Sequence, residues 1–283
     1  VTWLLAGLGL SIAGWAAALA HSVLHPERRH IPPPEHLPTP AIHSLRAPDG
    51  AAFDLWRMTP SIVRGRILLC HGYYADRGQV LGIAGELFHR GFEALVMELR
   101  GHGERPGPCT FGAREAEDAL IALRAAQTRP GAAPVPLGVL GLSLGAAVMC
   151  QVAARSADVK AVVADSPYAR LFPVLRGAFR QRYRRTGWLA AWVAWPAVQL
   201  WIGRRLARQD PAVLAQTLRQ PLLMIQGGQD QRVTARQGQE LYDRWAGPKE
   251  RWHDPAIAHV GMFISDPAAY GSRVAAFFER TLS

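Results

Sequence analysis

The sequence predicts an α/β fold: a mainly parallel eight-stranded sheet covered by helices, with a helical cap insertion and an N-terminal membrane helix. Three observations carry this expectation. From residue 41 onward, short apolar runs alternate with helix-length segments, the rhythm of a sheet whose strands are covered on both faces. Between residues 166 and 209 that rhythm breaks. Ahead of it all, residues 1–20 contain no charged side chain.

Taken in order, the segments 41–47 and 52–58 flank Pro48-Asp49-Gly50, a turn sequence, and read as an opening hairpin. The run 66–70 is a short apolar strand, followed by a helix near 79–90 and a strand at 93–98. A helix near 113–127 precedes the apolar strand 137–142, and 146–154 is helical again. Strands at 160–164, 221–226 and 250–252 complete the set, with helices near 234–245 and 267–281. In open sheets of this kind, chemistry collects at the carboxyl ends of the strands.

A chain of 283 residues with 49% hydrophobic residues can bury a core without metals or disulfides. Its three cysteines, Cys70, Cys109 and Cys150, are odd in number, widely spaced and form no CxxC pair, so neither a disulfide framework nor a metal site is expected. No cofactor motif is found. The formal charge of +10 suits an anionic surface, but no nucleic-acid-binding motif accompanies it, and no nucleic-acid partner is expected.

About 20 apolar residues in a helix span a hydrocarbon core of roughly 30 Å. Residues 1–24 therefore read as a single-pass transmembrane anchor, stopping at a flank that contains Arg28 and Arg29. A cleaved signal peptide is the alternative, because Ala18-Leu19-Ala20 resembles a cleavage site. The two arginines slightly favour a cytoplasmic catalytic domain. Residues 25–40 are Pro-rich and read as an extended linker, leaving 41–283 as the folded domain with its cap at 166–209.

The chemistry centres on Gly141-Leu142-Ser143-Leu144-Gly145, between a strand and a helix. Glycines on both sides leave room for a sharp turn that exposes the Ser143 hydroxyl as a nucleophile. A serine hydroxyl needs a base, and His259, between the last short strand and the last helix, is the candidate; His253 competes. An acid must orient that base. Asp230, leaving a strand through Gly227-Gly228, is favoured over Asp165, which also ends a strand. Two amides should form an oxyanion hole, that of Leu144 and, from the loop His71-Gly72-Tyr73-Tyr74, that of Tyr73. His71 reads as support for this loop.

Together His71-Gly72, Arg100-Gly101-His102-Gly103, the Ser143 pentapeptide, Asp230 and His259 resemble the α/β-hydrolase superfamily. The chain is most similar to its serine aminopeptidase-like, monoacylglycerol lipase-like and membrane-anchored branches, over roughly residues 41–283. The resemblance implies the fold and a Ser-Asp-His triad, but no substrate. Two positions depart from the pattern: Glu98, where relatives often carry Asp, and Gln226 before Gly227-Gly228, where many have His-Gly.

Relatives insert a helical cap where residues 166–209 break the rhythm. Here that stretch carries nine arginines, with no acid from Arg170 to Gln209. Within it, residues 187–203 are uncharged and hold Trp188, Trp192, Trp195 and Trp201. These tryptophans either fill the cap's packing or form a surface for the headgroup boundary of a membrane. The expected function is serine hydrolysis of an ester or other acyl bond in a small-molecule, apolar or lipid-like substrate. A peptidase of the same fold, and an inactive membrane-tethered binding or scaffold protein, are the alternatives.

Overall fold

A computed structural model of the protein describes residues 2–127, 135–203 and 206–282, with side chains from Ser11 onward. Among the described residues one sheet of eight strands runs in the order β1-β2-β4-β3-β5-β6-β7-β8. The strands are β1 (Ala41–Arg46), β2 (Ala52–Met58), β3 (Gly65–Cys70), β4 (Phe92–Met97), β5 (Leu137–Leu142), β6 (Val159–Asp165), β7 (Leu222–Gly227) and β8 (Lys249–Asp254). Only β1 and β2 pair antiparallel; β3 to β8 are parallel to their neighbours.

The central strands β3, β4 and β5 are buried at every residue, which is why they read as unbroken apolar runs rather than alternating ones. One face of the sheet is covered by α3 (Glu115–Gln127) and α4 (Leu144–Arg155). The other is covered by α2 (Gly78–His89) and α10 (Pro267–Leu282), with α9 (Met262–Ser265) before it. Between β6 and β7 lie the cap helices α5 (Leu171–Tyr183) and α6 (Gly187–Ile202) and the short α7 (Pro211–Leu214); α8 (Ala235–Arg244) joins β7 to β8. Helices α5 and α6 pack on each other. Arg204 and Arg205 of the arginine-rich stretch lie outside the described residues.

The expected transmembrane anchor is not supported. Its residues form α1 (Thr2–Leu24), but among the described residues no helix is long and apolar enough to cross a membrane. The side chains of residues 1–10 of the expected span lie outside the described ones. Further along, Leu19, Ala20, Val23 and Leu24 are buried in the protein core, and α1 packs along α6. The Leu24 carbonyl accepts the Cys109 amide at 2.7 Å, and the Val23 carbonyl accepts the Tyr73 hydroxyl at 2.6 Å. The reason is physical: a last turn committed to protein contacts leaves too short a stretch for a hydrocarbon core.

The Pro-rich segment lies along α2 rather than away from the domain. The Ile31 amide and the His30 ring both bond the buried Asp76 carboxylate, each at 3.1 Å. A Cβ on Gly78 would stand 2.0 Å from the Ile31 carbonyl oxygen, so the two backbones touch. All three cysteines are free and buried, and burial pushes their thiols up, Cys150 to about 12.

Candidate active site

Ser143 stands at the end of β5, just before α4, with φ 51° and ψ −109°. An L-residue held there is strained, and the surrounding packing explains why it stays. A Cβ on Gly141 would lie 2.2 Å from the Gly145 carbonyl carbon, and one on Gly145 would lie 2.3 Å from the Cys70 carbonyl oxygen. Both glycines are thus needed for α4 to start directly against β5 and β3. The Ser143 amide donates to the Asp165 carbonyl at 2.8 Å, fixing the turn to β6.

The two partners expected from the sequence converge on Ser143 from other strand ends. His259 Nε2 lies 2.9 Å from Ser143 Oγ, and His259 Nδ1 lies 2.6 Å from Asp230 Oδ2. Asp230 follows β7, and its second oxygen accepts the amides of Arg232 at 2.9 Å and Val233 at 2.8 Å. Those two bonds hold the carboxylate so that only one oxygen faces the ring. A proton on Nδ1 leaves Nε2 as an acceptor for the serine hydroxyl.

The competitors are elsewhere. His253 lies on β8 with its Nδ1 at 3.1 Å from the Gln226 carbonyl. Asp165 is buried at the end of β6, where its carboxylate accepts the Ser166 hydroxyl at 2.8 Å and the Tyr270 hydroxyl at 3.1 Å. Burial pushes that carboxyl up to about 6, against the pull of these two donors and of His259.

The loop after β3 reaches the same place. A Cβ on Gly72 would lie 3.4 Å from Ser143 Cβ. The Gly72 amide is already taken by Gln79 Oε1 at 2.7 Å, whereas the amides of Tyr73 and Leu144 have no protein acceptor among the described residues. Donors left open beside a serine hydroxyl are what an oxyanion hole requires. His71 is fully buried and supports the loop: its Nδ1 donates to the Gly72 carbonyl at 2.8 Å and its Nε2 accepts the Leu99 amide at 3.0 Å.

Glu98, one of the two departures from the family pattern, holds the start of α2. It accepts the Arg77 amide and Nε, each at 2.7 Å. The other, Gln226, is buried and accepts Arg251 at 2.6 Å through its side chain. The Arg100 loop is tied down by Asp118, whose carboxylate accepts Arg100 Nε at 2.6 Å and Arg105 at 2.5 Å. Among the described residues no group of His, Cys, Asp and Glu is arranged to hold a metal ion.

Sequence reasoning missed four contributors. Gln79 occupies the Gly72 amide, Ser166 accepts the Val260 amide beside His259, Tyr270 bonds Asp165, and Val23 receives the Tyr73 hydroxyl. Asp165-Ser166-Pro167 at a strand end was the one available signal; nothing in the sequence marked the other three.

Comparison with known proteins places this arrangement. The model of the serine aminopeptidase family S33 matches residues 61–216, more than half of the chain and the part that includes Ser143. The chain belongs to that family. Its fold and motifs make it a member of the α/β-hydrolase superfamily. An uncharacterised protein of Bacillus subtilis, YqkD, is 22% identical over 237 residues, covering 82% of this chain and 77% of its own. The uncharacterised Rv2307c of Mycobacterium tuberculosis is 29% identical over 214 residues, covering 74% of this chain and 66% of its own. Among solved structures, the Pyrococcus furiosus esterase Pf2001 superposes with a TM-score of 0.72 at 21% identity, over 91% of this chain and all of that one. An acylaminoacyl peptidase of Pyrococcus horikoshii does so with a TM-score of 0.66 at 18% identity, over 88% of this chain and 42% of that one. At these identities the structural likeness is one of fold.

Proposed function

We propose that the S33 family member described here is a serine hydrolase that cleaves an ester or other acyl bond in a small apolar or lipid-like substrate. One observation carries the reading: Ser143, His259 and Asp230, from three separate loops, form an unbroken chain of contacts at 2.9 and 2.6 Å. In this mechanism His259 Nε2 takes the proton as Ser143 Oγ attacks the acyl carbon. Asp230 keeps the ring in the required tautomer and stabilises the imidazolium. The amides of Leu144 and Tyr73 receive the oxyanion. His259 then protonates the leaving group, and water, activated by the same ring, releases the acyl group from Ser143.

The test is labelling by a fluorophosphonate probe, with p-nitrophenyl ester turnover measured alongside. Labelling at Ser143 and loss of both signals in Ser143→Ala are expected. A fully active Ser143→Ala overturns the assignment, and an unlabelled, inactive wild type favours a binding or scaffold role. The family's aminopeptidase description and the fold likeness to an acylaminoacyl peptidase favour peptide bonds as a second reading. Aminoacyl substrates assayed in parallel with acyl esters decide between the two.

An apolar surface beside the site supports a lipid-like substrate. Helix α6 buries Gly187, Ala190, Ala191, Ala194, Val198 and Ile202. Its opposite stripe is equally apolar, yet Trp188, Trp192 and Leu200 are exposed there, flanked by Leu189 and Trp201. Of the four cap tryptophans only Trp195 is half-buried, against Phe172. An apolar-all-round helix is normally enclosed. On the neighbouring α1, Ile12 and Trp15 are exposed as well. Arg176, Arg180, Arg182, Arg184 and Arg185 are all exposed with no acidic partner among the described residues. Tryptophan beside unpaired arginine matches the headgroup region of an anionic bilayer. A second copy of the chain would bring five more arginines against these five. Sedimentation with phosphatidylglycerol vesicles, but not with phosphatidylcholine vesicles, is expected, and the triple change of Trp188, Trp192 and Trp201 to Ser should weaken it. Failure to bind the anionic vesicles overturns the lipid reading.

A further inference from the structure

The imidazole that faces Ser143 is carried on a loop under strain. Val260, next to His259, has φ 51°. A β-branched residue in the left-handed region is a true outlier and persists only where its surroundings impose it. What imposes it is one hydrogen bond: the Val260 amide donates to Ser166 Oγ at 3.0 Å.

Ser166 can serve as that acceptor because its own proton is directed elsewhere. Its hydroxyl donates to Asp165 Oδ1 at 2.8 Å, leaving a lone pair for Val260. The second Asp165 oxygen accepts the Tyr270 hydroxyl from α10. Ser166 is itself at φ 52°, held by its amide's bond to the Ile225 carbonyl on β7 at 2.8 Å. The same dipeptide holds the nucleophile, since the Asp165 carbonyl accepts the Ser143 amide. Asp165, Ser166 and Tyr270 are at most 1% exposed, so water cannot take the place of a missing hydroxyl. One strand end thus references both reacting groups: Ser143 through a main-chain bond and His259 through a side chain.

Resting on the reading of Ser143 and His259 as nucleophile and base, we propose that Ser166 is a positioning residue. Its hydroxyl, aimed by Asp165, holds Val260 in the conformation that points the His259 ring at Ser143. This also gives Asp165 a use distinct from the acid of the triad. Both its oxygens are spent on hydroxyl donors, and His259 Nδ1 is served by Asp230.

The test is Ser166→Ala, with kcat, KM, the rate of fluorophosphonate labelling and thermal stability measured together. With the ring released, kcat and the labelling rate should fall about 10- to 100-fold, as expected for a misplaced reacting group, with KM within about twofold of wild type. A general packing defect would lower the amount of folded protein without this split. Wild-type kcat in folded Ser166→Ala, or a rise in KM alone, overturns the proposal. Should Ser166→Ala not fold, Ser166→Cys, of similar size but a weak donor and acceptor, takes its place with the same split expected and the same overturning result. Ser143→Ala is the control. If it is active, the reading of the site fails and the positioning role with it. If it is inactive while Ser166→Ala is fully active, the positioning role alone fails.

Discussion

The hydroxyl of Tyr73 donates to the main-chain carbonyl of Val23 at 2.6 Å, across fifty residues of sequence. Tyr73 follows Gly72, which touches Ser143, so the last turn of α1 is bonded to the wall of the candidate active site. Around it the Tyr73 ring packs on Phe111 and His102, and burial raises its phenol so that it stays a donor.

Removing that hydroxyl should loosen α1 without touching the reacting groups. In Tyr73→Phe, stability should fall by about 1 kcal/mol, the usual net worth of one hydrogen bond. Turnover of a short-chain p-nitrophenyl ester should remain within about twofold, because the Tyr73 amide is unchanged. Hydrogen exchange in α1 should become faster than in the sheet. Unchanged exchange in α1 would show that the contact does not restrain the helix.

Asp230→Asn keeps the size of the side chain and the Arg232 and Val233 bonds, but favours the wrong tautomer of His259. If the three residues act as a triad, kcat falls by roughly ten-thousand-fold. The folded protein should remain, as judged by its unfolding transition. A loss of less than about tenfold would remove Asp230 from the mechanism.

Gly145→Ala tests the close approach that shapes the Ser143 turn. The added methyl would meet the carbonyl oxygens of Cys70 and His71 at 2.3 and 2.6 Å, and backbone must move. Ester turnover should fall about 100-fold, with a stability loss of about 1–3 kcal/mol. Gly177→Ala is the control, since its Cβ meets nothing within 4 Å in the middle of α5. It should gain up to about 1 kcal/mol from helix propensity.

His102 should make stability fall in mild acid. Its Nδ1 donates to the Arg100 carbonyl at 2.8 Å, while its Nε2 is buried without a partner. Burial, and next the neighbouring His71, lower its pKa from 6.5 to about 4. Between these two values the unfolded chain binds a proton that the folded one refuses, so this contribution is intact above pH 6.5 and is lost as pH drops toward 4. The full loss is roughly 3 kcal/mol. Urea unfolding of wild type and His102→Gln at pH 7 and pH 4.5 checks it: the wild type should lose more than the variant by a margin of that order.

The eight strands were legible because buried parallel strands need unbroken apolar residues, and β3, β4 and β5 have them. The candidate triad was legible because the nucleophile turn demands small residues on both sides of Ser143, and because Asp230 and His259 follow β7 and β8. The N-terminal run was not. Residues 11–24 are as apolar as a lipid-facing helix, and apolarity alone does not say whether lipid or protein covers them. Leu19, Val23 and Leu24 turned out to be covered by protein. The cap tryptophans had the same ambiguity, and here three of four face outward.

By itself, then, the sequence determined the sheet, the family motifs and the order Ser143, Asp230, His259, since each follows from local spacing and polarity. Only the tertiary structure decided that His259 meets Asp230 rather than Asp165, that α1 ends against Tyr73, and that Ser166 holds Val260. Those are contacts between residues 29 to 94 positions apart, or fifty in the case of Val23 and Tyr73. Their partners are chosen by where the strand ends lie in space, and the pattern of neighbouring residues carries no record of that.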